Sequence, residues 1–139
     1  MEITANALQT VSVNSNVLFT ETAVKGNCSI VHREGSGLTT LRGLTNQCRA
    51  RFKVSFGANV AIPLGTTVAP VELAISISGE SLPSTIMIST PAAAEEFNNV
   101  YASAFIDVPS CCCYQITVQN IGTTEISVEN ANLIVERVA

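Results

Sequence analysis

The feature that most constrains this chain is a long run in which every second side chain is apolar. Between positions 50 and 62 the even residues are alanine, phenylalanine, valine or isoleucine, and the odd residues are mostly polar or small. Alternation with period two places successive side chains on opposite faces of a β-strand, whereas a helix needs a period near 3.6. The run therefore predicts a long strand with one face on a core and the other in water.

The same alternation recurs along the chain, with Gly, Pro and Asn between the pieces. It is clearest at residues 71–77, 100–108, 114–118, 126–128 and 133–135, and shorter pieces fall at 11–13, 17–19, 30–31, 38–41 and 86–88. This spacing predicts about eight to ten strands. We therefore predict an all-β fold, a two-sheet antiparallel sandwich in a single domain spanning residues 1–139. Residues 91–97 are compatible with a short helix or with a surface loop.

Charge limits the classes of partner. Charged residues make up 13% of the chain, about half the usual share of a soluble domain. The net charge of −4 argues against nucleic acid as a partner, because phosphates require a basic surface. No apolar run approaches the ~20 residues of a membrane-spanning helix, and the start of the chain lacks a signal peptide. We expect a protein made in a host cytoplasm, without membrane insertion, part of whose uncharged surface is covered by another subunit.

Little in the sequence points to chemistry. His32 is the only histidine, and it precedes a glycine-containing turn rather than accompanying a nucleophile. On a strand, Cys28 and His32 would lie about 13 Å apart, too far to share one metal ion. We therefore predict no catalytic residues, no metal site and no cofactor.

The five cysteines are Cys28, Cys48 and the run Cys111, Cys112 and Cys113. Free cysteine is among the most frequently buried residue types, so mostly buried free thiols are the favoured interpretation. Two alternatives remain open. The run could supply one thiolate from each of three subunits to a shared metal ion, or it could form a disulfide with Cys28 or Cys48.

Three apolar residues lie on the wrong face for a core. Tyr101 and Phe105 fall opposite the valine and alanine positions of residues 100–108, and Ile134 falls opposite Leu133 and Val135. A strand that is apolar on both faces packs against its own core and against something else. The second layer is either a loop, such as residues 92–97, or another subunit. Tyr101, Phe105 and Ile134 are therefore the candidate subunit interface.

The order of these segments resembles that of the trimeric jelly rolls of the C1q and tumour-necrosis-factor type. The resemblance rests on residues 11–19, the segment Gly-Leu-Thr-Thr-Leu-Arg-Gly at 37–43, the long strand at 50–62, the hairpin at 73–82, Val108-Pro109, and residues 131–137. In this chain, residues 111–113 replace the usual Gly-Asp, and aliphatic residues replace much of the aromatic core. The resemblance implies a jelly roll whose trimer contact lies on the sheet that carries the first, the last and the 100–108 strands.

The chain is also similar, in its Ala, Val, Thr and Asn content, to small structural proteins of phages and prophages. That resemblance implies a non-catalytic homotrimer on a virion, a capsid decoration or head-fibre protein that contacts the major capsid protein or another virion protein. The alternative is a recognition module, such as a tail-fibre knob, that binds a host surface glycan or protein. Residues 32–37 or 92–99 would then form the binding patch.

Overall fold

The computed structural model describes every residue from Met1 to Ala139 and is built almost entirely of β-strands. Its one helical segment is a single 3-10 turn at Pro83–Thr85, so no helix could reach across a lipid bilayer. The twelve strands exceed the predicted number because several are only two to four residues long. They are β1 (Glu2–Ala5), β2 (Gln9–Val11), β3 (Glu21–Val24), β4 (Ile30–His32), β5 (Thr39–Arg42), β6 (Arg49–Ala61), β7 (Val71–Ile77), β8 (Glu80–Ser81), β9 (Met87–Ser89), β10 (Asn98–Pro109), β11 (Cys113–Asn120) and β12 (Ile126–Arg137).

The strands form two antiparallel sheets of six strands each, as the predicted two-sheet sandwich requires. The first sheet has the order β10-β6-β12-β1-β3, and β2 also pairs with β12. The second has the order β4-β5-β11-β7-β8, and β9 also pairs with β7. A single core of 28 buried apolar residues, from Ile3 to Val135, fills the space between the sheets.

The long strand β6 lies between the edge strand β10 and the strand β12 in the first sheet. Its apolar residues at the even positions 50–60 are all buried, and between them lie half-exposed residues at the odd positions 51–59. The Phe56 ring meets the Phe19 ring edge to face, with centroids 6.2 Å apart. Because β10 and β12 both pair with β6 over most of its length, its alternation sets which side of this sheet faces the core.

The closing segments predicted at 126–128 and 133–135 belong to one strand, β12. Its pairing with β6 shifts between Glu129 and Asn132, where Asn130 has a φ of 54°. Such a bulge inserts one residue and reverses the alternation. The buried apolar side chains therefore move from the even positions Ile126 and Val128 to the odd positions Ala131, Leu133 and Val135.

The structure shows whether residues 91–97 form a helix and which residue of β9 faces the core. Residues 90–97 form a loop with bends and turns, not a helix, and Glu95 has a φ of 62°. In β9 the buried residue is Met87, whereas Ile86 and Ile88 are exposed. Ile86, just before the strand, and Ile88 within it therefore face solvent, because the pairing of β9 with the start of β7 turns Met87 inward.

Gly43 joins the loop after β5 to the turn between β10 and β11. Its N–H donates to the carbonyl of Cys112 at 2.8 Å, and the N–H of Cys111 donates to the Gly43 carbonyl at 3.0 Å. A Cβ at position 43 would lie 2.1 Å from the carbonyl oxygen of Pro109. No side chain fits there without movement of the backbone.

We expect Gly43→Ala to destabilise the fold by about 3 kcal/mol, because it forces this backbone apart. The matched control is Gly57→Ala in β6, whose added Cβ would make an ordinary contact of 3.7 Å with the Tyr101 ring. Chemical denaturation of both variants measures the difference. Equal stability of the two variants would contradict the steric conflict inferred at position 43.

Candidate self-assembly surface

The candidate interface residues lie on the outer side of the first sheet. Tyr101 and Phe105 of β10 are 63% and 64% exposed, and Ile134 of β12 is 41% exposed. The strand β6 lies between β10 and β12, and its Ser55 pairs with both Ser103 and Ile134. Ile134 therefore lies level with Ser103, midway along the strand direction between the two aromatic residues. We refer to the outward-facing residues of these strands as the β10–β6–β12 face.

The centre of this face carries no charge. One cross-strand row consists of Tyr101, Gly57 and Asn132, and the next consists of Ser103, Ser55 and Ile134. Charges border these two rows. Lys53 and Glu136 lie in the row of Phe105, Glu129 lies in the row on the other side, and Glu2 of the adjoining strand β1 is opposite Ile134. An exposed sheet face with apolar side chains and no central charge has the composition of a contact surface rather than of a solvated one.

The Tyr101 side chain is held against the sheet. Its ring lies over Gly57, which leaves room for it on the neighbouring strand. The Ser55 and Ser103 hydroxyls, together with the nearby Lys53 ammonium, lower the pKa of the Tyr101 phenol below its ordinary value. The two serine hydroxyls are also 3.1 Å from each other. A ring that packs over the neighbouring strand presents an apolar surface that a partner can cover.

No loop of the chain covers this face. Residues 92–97, the intramolecular cover considered from the sequence, lie in the loop before β10, and the Glu95 N–H donates to the Ile62 carbonyl at 2.8 Å. The structure therefore brings Tyr101, Phe105 and Ile134 together on one uncovered face. Sequence reasoning missed Ser55 and Gly57, although the absence of charge at positions 55, 57 and 59 of β6 distinguishes them from Arg49, Arg51 and Lys53.

The His32 ring contacts two backbone carbonyls and an aromatic ring. Its Nδ1 lies 3.0 Å from the Leu38 carbonyl oxygen, and its Nε2 lies 3.2 Å from the Phe19 carbonyl oxygen. Its ring also meets the Phe19 ring edge to face at 6.3 Å. Both ring nitrogens are therefore directed at the backbone. Elsewhere, no three His, Cys, Asp or Glu side chains are grouped closely enough to hold a metal ion.

The interpretation of the cysteines as mostly buried is wrong. All five are free and exposed. The physical reason is their position, because Cys28, Cys48, Cys111 and Cys112 lie in loops or turns beyond the ends of strands, and Cys113 is the first residue of β11. The tendency of cysteine to be buried has no effect at these positions, because no second sheet packs over the ends of the strands.

One ion pair borders the β10–β6–β12 face. The Arg51 guanidinium donates to both carboxylate oxygens of Asp107, at 2.7 and 3.1 Å, and the Arg49 Nε lies 3.2 Å from the same carboxylate. These contacts, the Arg51 hydrogen bonds above all, lower the pKa of Asp107. The ion pair links β6 to β10 across the exposed edge of the sheet.

No protein-family model matches the chain, and no curated protein matches it. Among solved structures, the chain is similar to the globular domain of zebrafish complement 1qA protein, with a TM-score of 0.64 and 11% identity over 96% of this chain and 93% of that chain. It is also similar to murine APRIL at pH 5.0, with a TM-score of 0.64 and 12% identity over 97% of each chain. A second APRIL structure, at pH 8.5, gives a TM-score of 0.54 and 8% identity over 91% of this chain and 95% of that chain.

At this low identity the likenesses establish the fold and nothing finer. The chain is an all-β sandwich with the C1q/TNF-like jelly-roll fold, which confirms the predicted fold class.

We expect Asp107→Asn to lower the melting temperature slightly near pH 6, and we expect this deficit to shrink as the pH falls below about 4. Because the folded-state pKa of Asp107 is lowered, its stabilising contribution is present above the unfolded value of about 3.9 and is lost as the pH falls through the folded value. Thermal unfolding between pH 2.5 and pH 7 measures this. Glu34→Gln, which changes an exposed carboxylate in a turn, is the control. A deficit in Asp107→Asn that persists unchanged at pH 2.5 would contradict the ion-pair explanation.

Proposed function

We propose that the chain is a non-catalytic structural protein that assembles as a homotrimer through the β10–β6–β12 face. The observation that carries the proposal is the pair of exposed aromatic residues, Tyr101 and Phe105, on a sheet face with a charge-free centre. A large apolar residue isolated on a surface is ordinary, but two aromatic rings and an isoleucine on one flat face favour a partner.

The energetics favour burial of this face. Fully burying a phenylalanine side chain contributes about 1.5–3 kcal/mol, and aromatic residues dominate the energetics of interfaces. The polar groups nearest the rings already have partners, since the Ser55 and Ser103 hydroxyls bond to each other and Glu2 accepts a hydrogen bond from Asn132. A partner that covers these groups therefore leaves few of them without a hydrogen bond. Polar groups buried without a hydrogen bond are a usual cost of forming an interface.

The wider role that we propose is a place on a phage virion, as a capsid decoration or head-fibre protein that contacts the major capsid protein or another virion protein. Support comes from the low share of charged residues, 13% of the chain, and from its Ala-, Val-, Thr- and Asn-rich composition, which resembles that of small phage structural proteins. The protein would then be made in the host cytoplasm and reside on the virion.

The trimer proposal predicts a solution mass three times that of the 14.6-kDa chain, measured by light scattering. Phe105→Glu should reduce the mass to that of a single chain, because it places a carboxylate in the interface. The new carboxylate lies opposite Lys53, so the protomer itself tolerates the change.

Ile88→Glu is the matched control, because Ile88 is 62% exposed on a strand of the other sheet. It should leave the mass at three chains. A monomeric wild-type protein, or a trimer that Phe105→Glu leaves intact, would refute the proposed interface.

One observation favours a recognition module as the second candidate. Leu64, in the loop between β6 and β7, is 76% exposed, and Phe97, in the neighbouring loop before β10, is 43% exposed. The two loops are joined by the hydrogen bond from Glu95 to Ile62. Apolar side chains at loop tips suit a host surface glycan or protein, so a monomeric wild-type protein would direct attention to these loops.

A further inference from the structure

The two nitrogens of the His32 ring face oxygens that can only accept hydrogen bonds. Nδ1 is 3.0 Å from the Leu38 carbonyl oxygen, and Nε2 is 3.2 Å from the Phe19 carbonyl oxygen. A neutral imidazole carries a hydrogen on one nitrogen and a lone pair on the other, whereas the protonated ring carries a hydrogen on both. The neutral ring can therefore donate to only one of these carbonyls, and its lone pair then faces the other oxygen.

A third oxygen gives the neutral ring a different partner at Nδ1. The Thr39 hydroxyl lies 3.3 Å from Nδ1, and its side chain is buried. A hydroxyl can donate to a lone pair as well as accept from an N–H. When Nδ1 is unprotonated, it can accept from Thr39, but the nearer Leu38 carbonyl then loses its donor. The partner of Nδ1 therefore depends on whether the ring is protonated.

The ring lies where the edges of the two sheets meet. Phe19 comes shortly before β3, the edge strand of the first sheet, and Leu38 immediately precedes β5 of the second sheet. Two backbone hydrogen bonds join the same segments, since the Phe19 N–H donates to Ser36 at 3.2 Å and the Gly35 N–H donates to Phe19 at 2.8 Å. The doubly protonated ring adds two further bonds between the segment before β3 and the turn between β4 and β5.

No carboxylate holds the ring. The residues with charged groups that line the cavity beside it are Met1, Lys25, Arg33 and Glu34, and none forms an ion pair with the imidazole. The two cations oppose protonation and the carboxylate favours it, but all three side chains are exposed, so salt screens their effect. The strands β3 and β5 contribute only uncharged threonines here. The two carbonyls are therefore the groups that distinguish the two protonation states.

We propose that His32 is a pH-dependent clamp that joins the segment before β3 to the turn between β4 and β5. The protonated ring donates to both carbonyls, and deprotonation at Nδ1 releases Leu38. Because the folded chain offers these acceptors to the protonated ring, the added stability is fully present below the pH at which an unfolded imidazole titrates, about 6.5, and is lost as the pH rises. The clamp lies at the opposite edge of the first sheet from β10, so it does not rest on the proposed trimer.

The first test compares the thermal unfolding of the full-length wild-type protein and His32→Gln at pH 5 and pH 8. The melting temperature of the wild-type protein minus that of the variant should be about 2–4 °C larger at pH 5, the shift expected for one hydrogen bond in a domain of this size. Because His32 is the only histidine, the subtraction removes the effect of the other titrating groups. Equal differences at the two pH values would overturn the proposal.

Thr39→Val separates the clamp from a histidine that only fills space. Valine removes the hydroxyl that the neutral Nδ1 requires, so this variant should lose more stability at pH 8 than at pH 5. The matched control is Thr85→Val, because Thr85 is also a buried threonine and its hydroxyl bonds only to backbone groups of Ile75 and Leu82. Its loss should be the same at both pH values. An equal loss from Thr39→Val at pH 5 and pH 8 would contradict the change of partner at Nδ1.

Nuclear magnetic resonance of the nitrogen-15-labelled imidazole observes the clamp directly in the wild-type protein. We expect two ring N–H signals at pH 5, protected from exchange with solvent by the two carbonyls. At pH 8 we expect one signal, from Nε2, because Nδ1 then accepts from Thr39. Rapid exchange of both ring hydrogens at pH 5, or a hydrogen that stays on Nδ1 at pH 8, would refute the clamp.

Discussion

The burial of alternate side chains along β6 is the constraint on which the rest of the structure depends. Phe52, Val54 and Phe56 can reach the core only if this strand keeps one face inward over its whole length. Because β10 and β12 pair with β6 residue by residue, that orientation passes to both neighbours. The outward positions of three strands are therefore fixed together, and a one-residue shift would exchange the core for the surface.

Regular alternation made most of the fold predictable, and interruptions of alternation made the rest unpredictable. The hairpin between β7 and β8 follows from its sequence, because Ser78 and Gly79 adopt φ values of 51° and 87° in a two-residue turn. The bulge near Asn130 was not visible, since nothing local requires an extra residue in β12. The inward position of Met87 in place of the isoleucines depends on pairing with a distant strand.

The candidate interface was predictable only in part. Aromatic residues at Tyr101 and Phe105 stood out because they are apolar where a solvated strand is polar. Their neighbours Ser55 and Gly57 look like ordinary solvent-facing residues, and only the register across β6 shows that they lie beneath and beside the Tyr101 ring. The exposed cysteines could not be foreseen, because the general tendency of cysteine to be buried says nothing about a residue beyond a strand end.

The proposed assembly face and the cysteine-containing turn are separate because of how a sandwich is built. Side chains of the β10–β6–β12 face point away from a sheet, whereas the turn at residues 110–112 lies past the ends of the strands. Covering the sheet face therefore leaves the turn accessible, and Cys113 faces outward from the opposite sheet. Gly43 has a part in this division. By holding two loops within hydrogen-bonding distance, it fixes the turn that carries Cys111 and Cys112 beyond the ends of the strands. In the proposed assembly, every copy would therefore keep this turn and its exposed thiols open to solvent.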